Sequence, residues 1–276
     1  MACLRRRFVR RHKVILVISV LIPLAIYSDT RFQGPFAVLA KADRLAMLYN
    51  WPEATPLYLQ AESLFKQSGD LKNGLAAKLG YIWSTADSGV NASNRREIAA
   101  HLLDPVINSD PQVRLRALIA KAVLDRNENE RAASGPWKEI LDLATKLDDK
   151  RWEARAKAEI GQILYLDGNI KSAAAMLRDA IVSQYLQLDF GAAIHYTAMV
   201  GNGFVETGQP EAGLRYCDIV LKASHLVPDL GFPFLAYQGK ARALLALHRT
   251  DDAKAVLDFA LKRAQKRRII SHWLNY

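Results

Sequence analysis

The chain has 276 residues with a formal net charge of +10, and 50% of its residues are apolar. Its two cysteines are too few for a disulfide framework, and its length allows a large hydrophobic core. Six of the positive charges lie in residues 1–13, so only +4 remains over the other 263 residues. This distribution argues against a nucleic-acid-binding surface.

The N-terminus joins a basic segment, residues 1–13, to an uncharged apolar segment, residues 14–27, that reads VILVISVLIPLAIY. As a helix, this segment spans roughly 21 Å, against about 30 Å of bilayer hydrocarbon, which fits a signal-peptide core or a short anchor. Small residues precede cleavage sites, and Tyr27 is unsuitable there. We therefore predict an uncleaved signal anchor, and a cleaved signal peptide is the alternative.

The cluster of cations in residues 1–13 also predicts the topology. The positive-inside rule places this segment in the cytoplasm and everything after residue 28 outside it. The predicted location is therefore a single pass through the inner (cell) membrane. If the signal is cleaved, the remaining chain is secreted or periplasmic. Residues 28–36 form a linker before the main domain, residues 37–276.

Residues 160–181, which read IGQILYLDGNIKSAAAMLRDAI, predict two helices joined by a tight turn. Apolar residues recur at helical spacing on both sides of Gly168-Asn169, and this dipeptide is typical of a turn. A glycine inside a helix costs about 1 kcal/mol relative to alanine. Gly161 therefore indicates a close approach by the second helix, which begins around Ala173.

This pattern recurs along the chain with a period of about 40 residues. First helices carry Gly80, Gly161 and Gly201, and second helices pair Ala54 with Tyr58, Ala173 with Leu177, Ala212 with Tyr216, and Ala253 with Leu257. The pattern resembles the tetratricopeptide repeat (TPR) signature L-G-x2-Y…A-x3-F.

The resemblance implies an all-α fold, an α-solenoid of about six TPR-like helix–turn–helix repeats over residues 37–265, preceded by the signal-anchor helix. The period exceeds the usual value of about 34, the early tryptophan is missing, and the closing proline is displaced. The alternative is an irregular helical bundle. The polar stretches 86–95 and 127–136 are predicted to be long turns.

The last repeat is predicted to be incomplete. Residues 266–276 begin a seventh first helix, whose apolar residues Ile269, Ile270, Trp273 and Leu274 lack a second helix to cover them. Because repeat arrays need a polar terminal face, this end indicates either a fragment of a longer protein or self-association through the C-terminal end.

Motifs for catalysis and metal binding are lacking in the sequence. No two histidines lie three to five residues apart, there is no phosphate loop, and Glu206 replaces the third glycine of a dinucleotide fingerprint that would begin at Gly201. We therefore predict that the protein is not an enzyme and binds neither a cofactor nor a metal.

In the family that the chain resembles, first helices line a concave groove. Carrying the groove positions over implies a polar surface of mixed charge, which suits an extended peptide or a partner helix. Asn202 matches an asparagine that holds a peptide's terminal carboxylate in family members, with Arg155 and Arg242 beside it on neighbouring repeats. An ordinary solvated groove is the alternative. The groove residues are Tyr81, Ser84, Asp125, Arg126, Arg155, Gln162, Tyr165, His195, Asn202, Glu206, Gln238 and Arg242.

Two functions follow from this resemblance. The first is a membrane-anchored, non-enzymatic scaffold that binds a protein or peptide partner in the groove and no nucleic acid. The second is a sensory or regulatory input region of a larger signalling or protease-like protein whose C-terminal effector domain is absent from this chain. The second rests on analogy with bacterial repeat proteins. A reading frame that continues past Tyr276 would favour it.

Overall fold

The computed structural model describes residues 34–86 and 91–266, and all regular secondary structure within these ranges is helical. The predicted basic segment, the apolar segment and most of the linker lie outside the described residues, as does the predicted seventh helix from residue 267 onwards. The helices are α1 (Pro35–Met47), α2 (Trp51–Gln67), α3 (Leu71–Ser84), α4 (Asn91–Leu103), α5 (Pro105–Ser109), α6 (Pro111–Glu128), α7 (Ser134–Lys146), α8 (Lys150–Leu166), α9 (Ile170–Leu186), α10 (Phe190–Glu206), α11 (Pro210–Ser224), α12 (Phe234–Ala246) and α13 (Thr250–Lys266).

None of these helices is both long enough and apolar enough to cross a membrane, within the residues that the structure describes. The predicted anchor at residues 14–27 lies outside them.

Side-chain oxygens at the N-caps start several helices. Asp149 accepts a hydrogen bond from the backbone N–H of Trp152 at the start of α8. The contact satisfies a backbone donor that has no partner inside the helix. The same contact is made by Asp70 at α3, Asp110 at α6, Asn169 at α9 and Asp189 at α10.

The predicted hairpin at residues 160–181 is confirmed, because α8 ends at Leu166 and α9 begins at Ile170. Gly168 in the turn has a φ of 78°, in the left-handed region that glycine adopts without steric cost. Gly69 and Gly208 have the same conformation in the turns from α2 to α3 and from α10 to α11. These turns therefore follow from local sequence.

Helices that are neighbours in sequence also pack against each other. A Cβ atom on Gly161 would lie 3.0 Å from Cγ of Leu177 on α9, and one on Gly201 would lie 3.1 Å from side-chain atoms of α11. A Cβ on Gly80 would overlap the ring of Tyr58 on α2. The predicted close approach is confirmed at all three glycines.

The prediction of long turns at 86–95 and 127–136 is wrong over residues 91–95 and over most of 127–136. Helix α4 begins at Asn91, a 3-10 helix spans Glu130–Ala133, and α7 begins at Ser134. Polar composition concealed α4, whose Ile98 is only 1% exposed within the core. Both α4 and α5 lie between α3 and α6 in sequence, yet α3 and α6 pack directly together.

The first hairpin also contacts the C-terminal half of the described chain. Arg44 pairs with Asp229 at 2.8 Å, and Nδ2 of Asn50 donates to the carbonyl of Asp229 at 3.0 Å, across 185 and 179 positions of sequence. The backbone N–H of Gly231 donates to the carbonyl of Leu48 at 2.9 Å. Residues 48–50, hereafter the closing turn, therefore pack against the segment between α11 and α12.

Two glycines make room for this contact. A Cβ on Gly191, near the start of α10, would overlap the carbonyl oxygen of Met47. A Cβ on Gly231 would overlap the carbonyl oxygen of Tyr49. Backbone therefore approaches backbone at both positions, which a larger side chain would prevent.

Candidate functional site

A buried ion pair lies behind the closing turn. Arg155 of α8 donates to Asp189 from Nε at 2.7 Å and from Nη2 at 2.8 Å, and Nη2 also donates to the carbonyl of Met47 at 2.7 Å. Both charged side chains are 3% exposed. Burial by itself lowers the pKa of Arg155, but Tyr49 and Asp189 raise it above its ordinary value, so the guanidinium stays charged.

Tyr49 of the closing turn stacks on His195 of α10. Their ring centroids are 4.4 Å apart with an interplanar angle of 9°. The guanidinium carbon of Arg155 lies 5.2 Å from the centroid of the Tyr49 ring. Burial, together with the charges of Arg126 and Arg155, lowers the pKa of His195 to about 3, so this imidazole is neutral near pH 7.

Glu159, one turn beyond Arg155 on α8, is the second buried acid of the site. It is 5% exposed, and it accepts hydrogen bonds from Arg126 at 3.1 Å and from the hydroxyl of Tyr196 at 2.8 Å. Burial and the nearby Glu159 carboxylate raise the pKa of Tyr196 well above its ordinary value, so the hydroxyl keeps its proton. The two arginines are therefore balanced by two buried carboxylates.

Aromatic rings from four elements surround these groups. Trp51 contacts Trp83 edge to face at 5.1 Å between centroids, and Trp83 contacts Trp152 in the same way at 5.4 Å. The guanidinium of Arg155 lies 5.5 Å from the Trp152 ring centroid. With Trp137, these residues line a cavity of about 150 Å³, whose walls also include the closing turn, α10 and the start of α12.

All four tryptophans in the described part of the chain line this cavity. Trp137 is 2% exposed, and its indole Nε1 has no hydrogen-bond partner in the structure. A buried N–H without a partner costs free energy, because it has lost its water. This N–H is covered by protein atoms and is not accessible from the cavity, whose wall combines aromatic, aliphatic and charged residues.

A second cavity, of about 250 Å³, shares Trp83 and Trp152 with the first. Asp43 of α1 and Arg116 of α6 lie in its wall, where they form an ion pair, and Tyr58 donates to Asp43 at 2.8 Å. This ion pair links α1 to α6. Helix α1 therefore bonds both to α6 and to the segment before α12.

Several predicted groove residues make internal contacts. Arg126, Arg155 and His195 line the cavity. Tyr81 packs between two core clusters, and Ser84 is 4% exposed. The remaining residue of this group, Asp125, pairs with Lys121 on its own helix.

The predicted clamp residues bond to separate internal partners. Asn202 is 8% exposed, and its Nδ2 donates to the carbonyls of Ala198 and Leu235, each at 3.0 Å. Arg155 bonds to Asp189, as described above. The three clamp residues therefore share no common partner within the described structure, since Arg242 bonds to Glu206 at 3.0 Å.

The other predicted groove residues remain accessible and form a strip across α8, α10 and α12. Glu206 accepts hydrogen bonds from Arg242 and, at 3.2 Å, from the hydroxyl of Tyr165. The Glu206 and Arg242 side chains are 42% and 43% exposed. Gln238 is exposed and Gln162 is half-buried. We call these five residues the outer strip.

The sequence reading missed the tryptophans, Tyr49 and Glu159. A usable signal was present, because tryptophan is scarce in this chain and four of its five copies lie between residues 51 and 152. None of the groove positions carried over from the TPR pattern is a tryptophan, so the four tryptophans were not selected as site residues.

Comparisons with protein-family models and with curated protein sequences return no match. Within the described ranges, no group of three or more His, Cys, Asp and Glu side chains is placed to hold a metal ion. The cavity and the outer strip are therefore the two features from which a function can be inferred.

Proposed function

We propose that the chain is a non-enzymatic binding module, built as a TPR-like solenoid, that binds a peptide or partner protein along the outer strip. The observation that supports this proposal is the bonded row Tyr165–Glu206–Arg242, which crosses three first helices at the surface. Among the other expected groove residues, Arg155 and His195 contact Tyr49 of the closing turn.

The chemistry of the strip suits a peptide that carries both charge signs. The Glu206–Arg242 pair is nearly half exposed, and surface ion pairs contribute only about 0–1 kcal/mol. A partner's charges can therefore replace this pair at small cost. Tyr165 adds an aromatic surface of the kind that is enriched in binding hot spots.

The first experiment is an affinity pull-down from solubilised membranes, followed by titration of the captured partner. Tyr165→Ala with Arg242→Ala should lower the affinity about tenfold or more, while the helical circular-dichroism signal stays unchanged. The matched control is Arg249→Ala, since Arg249 has a similarly exposed pair with Asp252 at 2.7 Å. An affinity equal to that of the control variant would contradict the proposed site.

We further propose that residues 14–27 anchor the module in the inner membrane with its repeats outside the cytoplasm. The support is the apolar segment next to six cations. A reporter enzyme that is active only outside the cytoplasm, fused after residue 276, should be active. Activity from a cytoplasmic reporter alone would contradict this orientation, and release of a soluble protein that starts near residue 28 would favour the cleaved signal.

The second candidate function is that of a sensory input region. The tryptophan-lined cavity favours it, because the closing turn, the segment before α12 and eight of the described helices all contribute to its wall. A ligand in this position would contact helices from α2 to α12.

A further inference from the structure

We propose that the tryptophan-lined cavity binds one small, neutral aromatic molecule. This inference is independent of peptide binding at the outer strip, because the cavity wall contains none of the five residues of that strip. It concerns a site that the sequence reading did not predict.

The size of the ligand follows from the volume. The cavity measures about 150 Å³. An apolar cavity of about this size holds one molecule of benzene. A single six-membered ring with one or two further heavy atoms therefore fits.

The class of the ligand follows from the wall. Trp51, Trp83 and Trp152 present ring edges and faces, which favour stacked or edge-to-face contact with another ring. Aromatic walls also bind cations, but the guanidinium of Arg155 already lies over the rings of Trp152 and Tyr49. A second cation would meet the charge of Arg155 at close range.

An anionic ligand is disfavoured for a related reason. Arg155 is bonded to Asp189 and to a backbone carbonyl, and Arg126 is paired with Glu159. The buried cations are thus matched by buried carboxylates, and a further negative charge would be desolvated without a free partner. The balance of charge leaves a neutral molecule as the favoured occupant.

Phenol and toluene are the probes of this site. The full 276-residue chain in lipid nanodiscs is titrated with each compound, and the tryptophan indole ¹H–¹⁵N resonances are followed by NMR. Empty nanodiscs measure partitioning into lipid. Both compounds should shift the indole resonances of Trp51, Trp83 and Trp152 saturably.

A filled cavity provides the control variant. Ala198→Leu adds volume to the wall and should abolish binding of both compounds, whereas Ala174→Leu on the exposed side of α9 should leave binding unchanged. If Ala198→Leu does not fold, the titration of the unmodified chain still decides. Absence of saturable shifts with phenol and toluene would overturn the proposal, as would tighter binding of benzoate or phenyltrimethylammonium.

Discussion

At the scale of single residues, His195 shows how position decides chemistry. Its ring is stacked on Tyr49 and faces two arginines, Arg126 and Arg155, and the carboxylate of Glu159 lies on the neighbouring α8. Burial and these cations hold the pKa of His195 at about 3. The sequence reading placed His195 in a groove, where an exposed histidine would titrate near its ordinary pKa of about 6.5.

This difference predicts a pH-dependent stability. Between about pH 6.5 and 3, the unfolded chain binds a proton at His195 that the folded chain excludes. The free energy of unfolding should therefore be fully retained above pH 6.5 and fall below it, by at most about 1.4 kcal/mol per pH unit from this group. His195→Gln should flatten the profile between pH 6.5 and 4.5, measured by urea unfolding.

The control for that measurement is His225→Gln, because His225 is an exposed histidine at the end of α11. It should leave the slope of the parent unchanged. Identical slopes in the parent and in His195→Gln would show that His195 does not contribute.

At the scale of helices, local chemistry accounts for most starts and turns. N-cap acids and amides begin α3, α6 and α8 to α10, and glycines with positive φ end α2, α8 and α10. Helix α4 shows the opposite case. Its first seven residues include only one apolar residue, Ala92, and the helix packs into the core through Ile98 and Leu102, a contact that no local pattern reveals.

At the scale of the whole molecule, the closing turn joins helices that are distant in sequence. In an open repeat array, each repeat contacts only its sequence neighbours, so stability is a sum of local terms. Here α1 bonds to residues of α6, α8 and the segment before α12. The stability of the first hairpin is therefore coupled to that of helices far along the chain.

Gly191→Ala tests this dependence, because the added methyl group would overlap the carbonyl of Met47. The substitution should lower the free energy of unfolding by about 1–3 kcal/mol and accelerate hydrogen exchange throughout α1. Hydrogen exchange read by mass spectrometry measures both the site and the extent of the change.

Gly135→Ala is the matched control, since a Cβ there meets no atom within 4 Å and alanine favours the helix. It should leave exchange in α1 unchanged. If Gly191→Ala behaves like this control, the closing turn contributes nothing measurable to the stability of α1.

Sequence patterns alone predicted the helical class, the hairpin at residues 160–181 and the close helix contacts at Gly80, Gly161 and Gly201. These features depend on the 3.6-residue period, on N-cap oxygens and on glycine, all of which act within one hairpin. Counting along first helices also selected Tyr165, Glu206 and Arg242, which bond to one another at the surface.

Packing between distant helices brings the closing turn against Arg155, Gly191 and Gly231, and it places the tryptophans around a cavity. These contacts join residues far apart in sequence: Met47 and Arg155 are 108 positions apart, and Asn50 and Asp229 are 179 positions apart. Their geometry depends on the sum of small rotations between successive helix pairs, which sequence periodicity does not encode. The need for glycine at position 191 is evident only from the structure, where the carbonyl of Met47 occupies the space that a Cβ would fill.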